Sequence, residues 1–210
     1  MSKLKDTEEM RKFWDQRYQN QAAGWDIGFP STPLKTYIDQ IINKDLRILI
    51  PGAGNAYEAE YLWKKGFSKV YVMDIAQAPL KAFAERNPKF PKSQLLQRNF
   101  FVHSGQYDLI IEQTFFCSFT PRPENRQAYV HKMHELLAPQ GKLVGLWFTF
   151  PIRSGQDKPP YGGTKEEYLS YFVDYFEVLT FEPARNSIKP RQGKELFGIL
   201  KKKGTKIEEV

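Results

Sequence analysis

Residues 48–62 read ILIPGAGNAYEAEYL: an apolar run, then Pro51-Gly52-Ala53-Gly54, then a segment with helical spacing. An apolar strand that turns through glycines into a helix is the first βα unit of a doubly wound sheet. Ligands in such sheets lie at the carboxyl ends of the strands. A dinucleotide fingerprint requires a third glycine, G-x-G-x-x-G, so that the helix packs close beneath a pyrophosphate. That position is Tyr57, and a bulky ring there argues against a pyrophosphate. The absence of Gly-Lys-Ser/Thr excludes a P-loop. The expected ligand therefore lacks phosphates. Twenty residues beyond Gly54, Asp74 closes the apolar run VYVMD. An acid at that strand end can accept both hydroxyls of a ribose; the competing reading is an aspartate that caps the next helix.

Working outward, strands and helices alternate. Helices are expected over 7–19, 33–42, 57–65, 79–86, 123–137 and 164–173. Leu34, Ile38, Ile41 and Ile42 should share one face of the second. Strands are expected over 47–51, 69–75, 93–100, 107–116 and 142–150, with a turn at Ala138-Pro139-Gln140-Gly141 before the last of these. After a segment rich in proline and glycine come two more strands, 176–182 and 195–202, joined like a hairpin. This order predicts an α/β fold with a doubly wound, seven-stranded, mostly parallel sheet. It carries an N-terminal helical lid (1–45) and a final antiparallel strand. A single domain spanning 1–210 is expected, since no repeat or linker interrupts the pattern.

Composition narrows the partners. Apolar residues make up 41% and aromatics 15%, which suits a folded core. No apolar run approaches the roughly 20 residues that span a bilayer, and MSKLKDTEEMRKFW lacks the apolar stretch of a signal peptide. The single cysteine, Cys117, precludes an internal disulfide and suits a reducing compartment, so a cytoplasmic protein is expected. The net charge of +7 is carried by residues 185–206, which hold eight basic residues and one acid, Glu195. A terminal basic cluster of this kind reads as a solvated tail; the alternative is a flank that concentrates small anions. A nucleic-acid methyltransferase would place Asn/Asp-Pro-Pro-Tyr/Phe after the fourth strand. Glu112-Gln113-Thr114-Phe115 stands there instead, so neither nucleic acid nor membrane is an expected partner. His131, His134 and Glu135 find no further ligands in the sequence and read as a helix face, not a metal site.

A glycine turn without phosphate features, followed by a ribose-binding acid, suits S-adenosyl-L-methionine, with S-adenosyl-L-homocysteine as product. Further motifs agree: Trp14-Asp15-Gln16-Arg17-Tyr18, Gly24-Trp25-Asp26-Ile27-Gly28, Asn99-Phe100-Phe101, Tyr107-Asp108-Leu109-Ile110, Phe115-Phe116-Cys117 and Lys158-Pro159-Pro160-Tyr161. Together they give the chain a resemblance to the thiopurine S-methyltransferase-like family, nearest its halide, thiocyanate and thiol methyltransferases. The fold implied is the Rossmann-like class I methyltransferase. By this resemblance Trp14, Tyr18 and Trp25 line a lid over the cofactor's methionine end, where aromatic faces attract a sulfonium. Gly52 and Gly54 pass close to the cofactor, Asp74 binds its ribose, and Asn99 and Phe100 bracket its adenine. Gln113 lies beside the reacting methyl. Two departures stand out: Asn99 where the family commonly has Asp, and Glu112-Gln113 in place of an Asp-Tyr pair.

Methyl transfer from a sulfonium is an in-line displacement, and a soft anion needs no general base. The expected acceptor is a thiolate, bisulfide, thiocyanate or halide. The alternatives are a larger thiol, a thiopurine, a tellurite or selenium species, or cofactor binding without catalysis. Gln113, Phe116 and Tyr161 are the expected acceptor-site residues, with Arg153 as a further anion contact. Cys117 reads as a small buried apolar residue and not a nucleophile. A monomer or weak dimer is expected.

Overall fold

A computed structural model describes residues 7–20, 26–151, 156 and 158–204. β1 (Ile48–Pro51), β2 (Val70–Asp74), β3 (Leu95–Gln97), β4 (Tyr107–Gln113), β5 (Leu137–Phe148), β6 (Phe176–Pro183) and β7 (Glu195–Lys202) form one sheet. Their order is β3-β2-β1-β4-β5-β7-β6. The first five strands are parallel, and β7 runs antiparallel to both β5 and β6. The chain winds outward from β1 in both directions, so the order reverses between β1 and β4, where a crevice opens at the strand ends.

The period-2 alternation of the central strands divides the core in two. Ile48, Ile50, Val70, Val72, Leu109 and Ile111 face α2 (Thr32–Asp39), α3 (Tyr57–Lys64) and α4 (Gln77–Arg86). Leu49, Met73, Ile110 and Leu143 face α5 (Pro123–Leu136) and α6 (Lys165–Phe172). α1 (Thr7–Gln19) lies against the amino end of α4, where Asp15 Oδ1 accepts from the Gln77 and Ala78 N–H groups at 2.9 and 3.3 Å. Ala76, at the N-cap, makes no side-chain cap, so Asp15 satisfies donors that the local sequence leaves open.

Several boundaries differ from the sequence expectation. The second helix ends at Asp39, and Ile42, expected on its buried face, is 93% exposed. The third strand shrinks to Leu95–Gln97 between two 3-10 turns. Ala138-Pro139-Gln140-Gly141 is not a free turn: β5 begins at Leu137, paired with Tyr107, and absorbs the segment as an irregularity with Gln140 at φ +66°. β4 ends at Gln113 and not at Phe116, because Thr114 takes φ +55°. A β-branched residue in the left-handed region stops a strand. Among the described residues no helix is long and apolar enough to cross a membrane.

Candidate functional site

A cavity of about 850 Å³ opens at the carboxyl ends of the parallel strands, within the range that holds a drug-sized ligand. Each wall comes from a different element. α1 supplies Trp14, Arg17 and Tyr18; the glycine turn supplies Gly52; the end of β2 supplies Asp74; the segment after β3 supplies Asn99 and Phe100. The turn after β4 contributes Thr114, Phe115, Cys117, Ser118 and Phe119. The segment before β7 contributes Pro190, Arg191 and Lys194.

Asp74 is almost fully buried at the cavity edge. Its Oδ2 accepts from Gly54 N–H and its Oδ1 from Ala76 N–H, both at 2.9 Å. Burial nevertheless pushes its pKa up to about 6, against the pull of those N–H bonds. Asp74 therefore braces the glycine turn and lines the cavity, and it does not cap the next helix, whose first amides are covered by Asp15. Asn99 Oδ1 accepts from Phe101 N–H at 2.9 Å, fixing the 3-10 turn that sets Phe100 edge-on to Phe101 and Phe115.

The two glycines are occupied by rings of the protein itself. A Cβ added to Gly52 would stand 2.0 Å from Phe115 Cδ2, and one added to Gly54 would stand 2.7 Å from the Tyr18 hydroxyl. Both residues have positive φ, +56° and +52°, a conformation that glycine adopts without strain. The turn therefore serves as a seat for Phe115 and Tyr18.

Of the residues expected from sequence, Trp14, Tyr18, Gly52, Asp74, Asn99 and Phe100 line the cavity together. Gly54 and Gln113 line a small adjoining pocket with Asp26, Asn55 and Glu58. Phe116 does not reach the cavity. It packs in the core against Tyr129, Tyr168 and the Arg126 guanidinium, with centroid distances of 4.8, 5.4 and 5.1 Å. Tyr161 is 2% exposed and donates its N–H to Cys117 O at 2.8 Å, bracing the wall without lining it. Pro159 and Pro160 of the same motif do line the cavity. Trp25 and Arg153 lie outside the described residues. Cys117 lines the cavity, but burial holds its thiol well above the usual range and its Sγ donates to Thr114 O, consistent with an inert wall residue.

Sequence reasoning missed three features. Glu112 is fully buried on β4; its Oε1 accepts from the Phe115 and Phe116 N–H groups at 2.8 and 3.0 Å, while Oε2 finds no hydrogen-bond partner. Burial raises its pKa from 4.5 to about 7. Phe115, not Phe116, is the cavity-facing ring of the pair. The basic stretch is no solvated tail: it folds into β7 and the turn before it, which brings Arg191 and Lys194 into the cavity wall. Arg191 Nη1 donates to Glu195 Oε1 at 3.3 Å, and its guanidinium lies 5.4 Å from the centre of the Phe148 ring. With its amide oriented so that both ends are satisfied, Gln113 accepts from Arg191 Nη1 at 3.0 Å and donates to Glu58 Oε1. Gln113 thus ties α3 to the segment before β7. Only the eight-basic count around it was visible in the sequence.

The residues suit S-adenosylmethionine: a buried acid for ribose hydroxyls, a polar and aromatic pair beyond β3, and rings around the glycine turn. Solved structures agree at the level of fold. A Burkholderia thailandensis 1,6-didemethyltoxoflavin-N1-methyltransferase, solved with 1,6-didemethyltoxoflavin and S-adenosylhomocysteine, superimposes with a TM-score of 0.74 at 15% identity. The match covers 93% of this chain and 88% of that one. The magnesium protoporphyrin IX methyltransferase of Synechocystis PCC 6803, solved with S-adenosylmethionine, gives 0.67 at 13% identity, over 97% and all of the respective chains. Closer in sequence are two plant proteins. "Thiocyanate methyltransferase 1" of Brassica oleracea is 30% identical over 196 residues, 90% of this chain and 84% of the relative. "Probable thiol methyltransferase 2" of Arabidopsis thaliana is 28% identical over 198 residues, 91% and 85% respectively. The model of the family Thiopurine S-methyltransferase (TPMT) matches residues 9–208, nearly the whole length, and the chain belongs to that family of S-adenosylmethionine-dependent methyltransferases.

Proposed function

We propose that the enzyme methylates a small, soft nucleophile that reaches the cavity as an anion: a thiolate, bisulfide, thiocyanate or halide. The observation that carries this reading is the charge of the wall before β7. On that wall stand Lys194 and Arg191, the latter ion-paired to the buried Glu195. Arg17 and Arg98 line the cavity elsewhere, and the acid among its described lining residues, Asp74, is held by backbone N–H groups on the β2 side. No histidine is among those lining residues. Such a wall attracts and orients an anion and does not remove a proton. The names of the plant relatives favour the same acceptor class.

In this reading Asp74 accepts the ribose hydroxyls, Asn99 and Phe100 bracket the adenine, and Trp14 and Tyr18 close over the cofactor from α1. When bound, S-adenosylmethionine supplies a methyl group activated on a sulfonium. Arg191, braced by Gln113 and Glu195, and Lys194 strip water from the acceptor anion and hold it in line. Phe116 and Tyr161 serve as supports behind the wall. The large cavity favours one second reading, a thiopurine-sized thiol, because it leaves room beyond a cofactor and a single small anion.

The test is methyl transfer from labelled cofactor to iodide, thiocyanate, bisulfide, small thiols, a thiopurine and tellurite. Above pH 7, turnover of thiocyanate and iodide is expected to be flat with pH. Turnover of a thiol should rise with its own thiolate fraction. Turnover confined to neutral amines or hydroxyls would refute the anionic-acceptor reading, and turnover of the thiopurine alone would favour the second.

A further inference from the structure

Phe115 is placed to do more than fill space. Its ring sits on the bare Cα of Gly52, and its root is fixed on both sides. Its N–H donates to Glu112 Oε1 at 2.8 Å, and its carbonyl accepts from Ser118 Oγ at 2.6 Å and Ser118 N–H at 3.0 Å. Phe100 and Phe119 meet it edge-on at 5.1 and 4.9 Å, which leaves the ring little freedom to swing. The residue before it, Thr114, is held at φ +55°. Strain of this kind at a cavity wall accompanies function.

Strand order converts this position into a role. Neighbouring strands lie about 4.8 Å apart, and the order β3-β2-β1-β4 lays the cavity's polar groups in sequence. Asn99 follows β3, Asp74 ends β2, Gly52 follows β1 and Phe115 follows β4. A ligand with adenine near Asn99 and ribose at Asp74 extends across β1, and its next group arrives over Gly52 beside Phe115.

We propose that Phe115 contacts the sulfonium directly, as a fixed aromatic face that discriminates the charged cofactor from its neutral thioether product. This rests on the S-adenosylmethionine site described above. A ring face attracts a cation and gains little from a thioether in the same place. The contact thus favours retention of the substrate form and weakens once the methyl has left.

Titration calorimetry of Phe115→Leu with both ligands tests this without any turnover. S-adenosylmethionine affinity is expected to fall roughly 3- to 30-fold, the span of a partly to fully desolvated cation–π contact, while S-adenosylhomocysteine affinity stays within about twofold. Phe115→Tyr, which keeps the ring face, is expected to preserve the wild-type ratio of the two. Equal weakening of both ligands by Phe115→Leu, including loss of both, would overturn the proposal by making the ring a packing element. Tighter binding of both would overturn it by making the ring a plug. Wild-type protein that binds neither ligand would sink the proposal together with the cofactor site, whereas binding of both with an unchanged ratio in Phe115→Leu would sink it alone.

Discussion

Replacing Glu112 by glutamine asks what a buried, half-satisfied carboxylate costs this fold. Oε1 holds the turn after β4 through two N–H groups, and Oε2 has no partner. Glutamine keeps an oxygen for the two N–H groups and is neutral at every pH. With the carboxyl at 4.5 when unfolded and about 7 when folded, the folded state binds the proton more tightly. Stability is therefore greatest below pH 4.5 and is lost as pH rises towards and through 7. At about 1.4 kcal/mol per pH unit, the loss accumulated between pH 5 and pH 8 is about 2–3 kcal/mol. The shift of Asp74 owes nothing to Glu112 and cancels between parent and variant, so the difference reports on Glu112. The assay is thermal or urea unfolding of both proteins at pH 5 and pH 8. The stability of Glu112→Gln relative to wild type should improve by about 2–3 kcal/mol on going from pH 5 to pH 8, or roughly 5–10 °C in Tm for a chain of this size. A parent–variant gap independent of pH would refute the reasoning, because it would place the ionised carboxylate in a solvated or fully compensated setting.

Asp74→Ala is expected to weaken S-adenosylmethionine binding tenfold or more, since loss of a hydrogen-bonded acid costs about 1.5–3 kcal/mol; unchanged calorimetric affinity would remove Asp74 from the ribose. Wild-type cofactor affinity should also decline as pH falls through about 6, where Asp74 takes up its proton. Gly52→Ala drives a methyl into the Phe115 ring and adds about 1–2 kcal/mol of left-handed backbone strain. It should destabilise the fold and impair cofactor binding, while Gly28→Ala, at φ +78° with open space around it, should show only the strain. Lys194→Ala should raise the KM for thiocyanate several-fold and leave cofactor affinity unaltered, and a KM that stays put would detach this wall from the acceptor.

The order of elements was legible because periodicity and punctuation agree: apolar strands alternate with helices that open at Pro33 or Pro123 and close near Gly66. Asp74's place beside the glycine turn was legible too, although the sequence left open whether it would cap the next helix, a task that falls to Asp15. Which phenylalanine faces the cavity was not. Two adjacent phenylalanines carry no mark of which one faces the cavity. Threonine gives no hint that its backbone will enter the left-handed region, and that one rotation sends Phe115 to the cavity and Phe116 to the core. The basic stretch misled for a related reason. Charge counts say nothing of pairing, and only β7's insertion between β5 and β6 carries Arg191 and Lys194 to the strand ends. The Gly-x-Gly signal led to the edge of the cavity, where both glycines make room for the protein's own rings.

Asp15 joins α1 to the body of the enzyme by a bond that has two owners. The carboxylate that docks α1 also covers the Gln77 and Ala78 amides at the start of α4. In the proposed reading, in which α1 closes over the cofactor, any lifting of α1 bares the first turn of a second helix, next to Asp74. The two amide protons become a clock for lid residence. Their exchange with deuterated solvent should slow when the cofactor is bound and quicken in Asp15→Ala, at the same pace as product release.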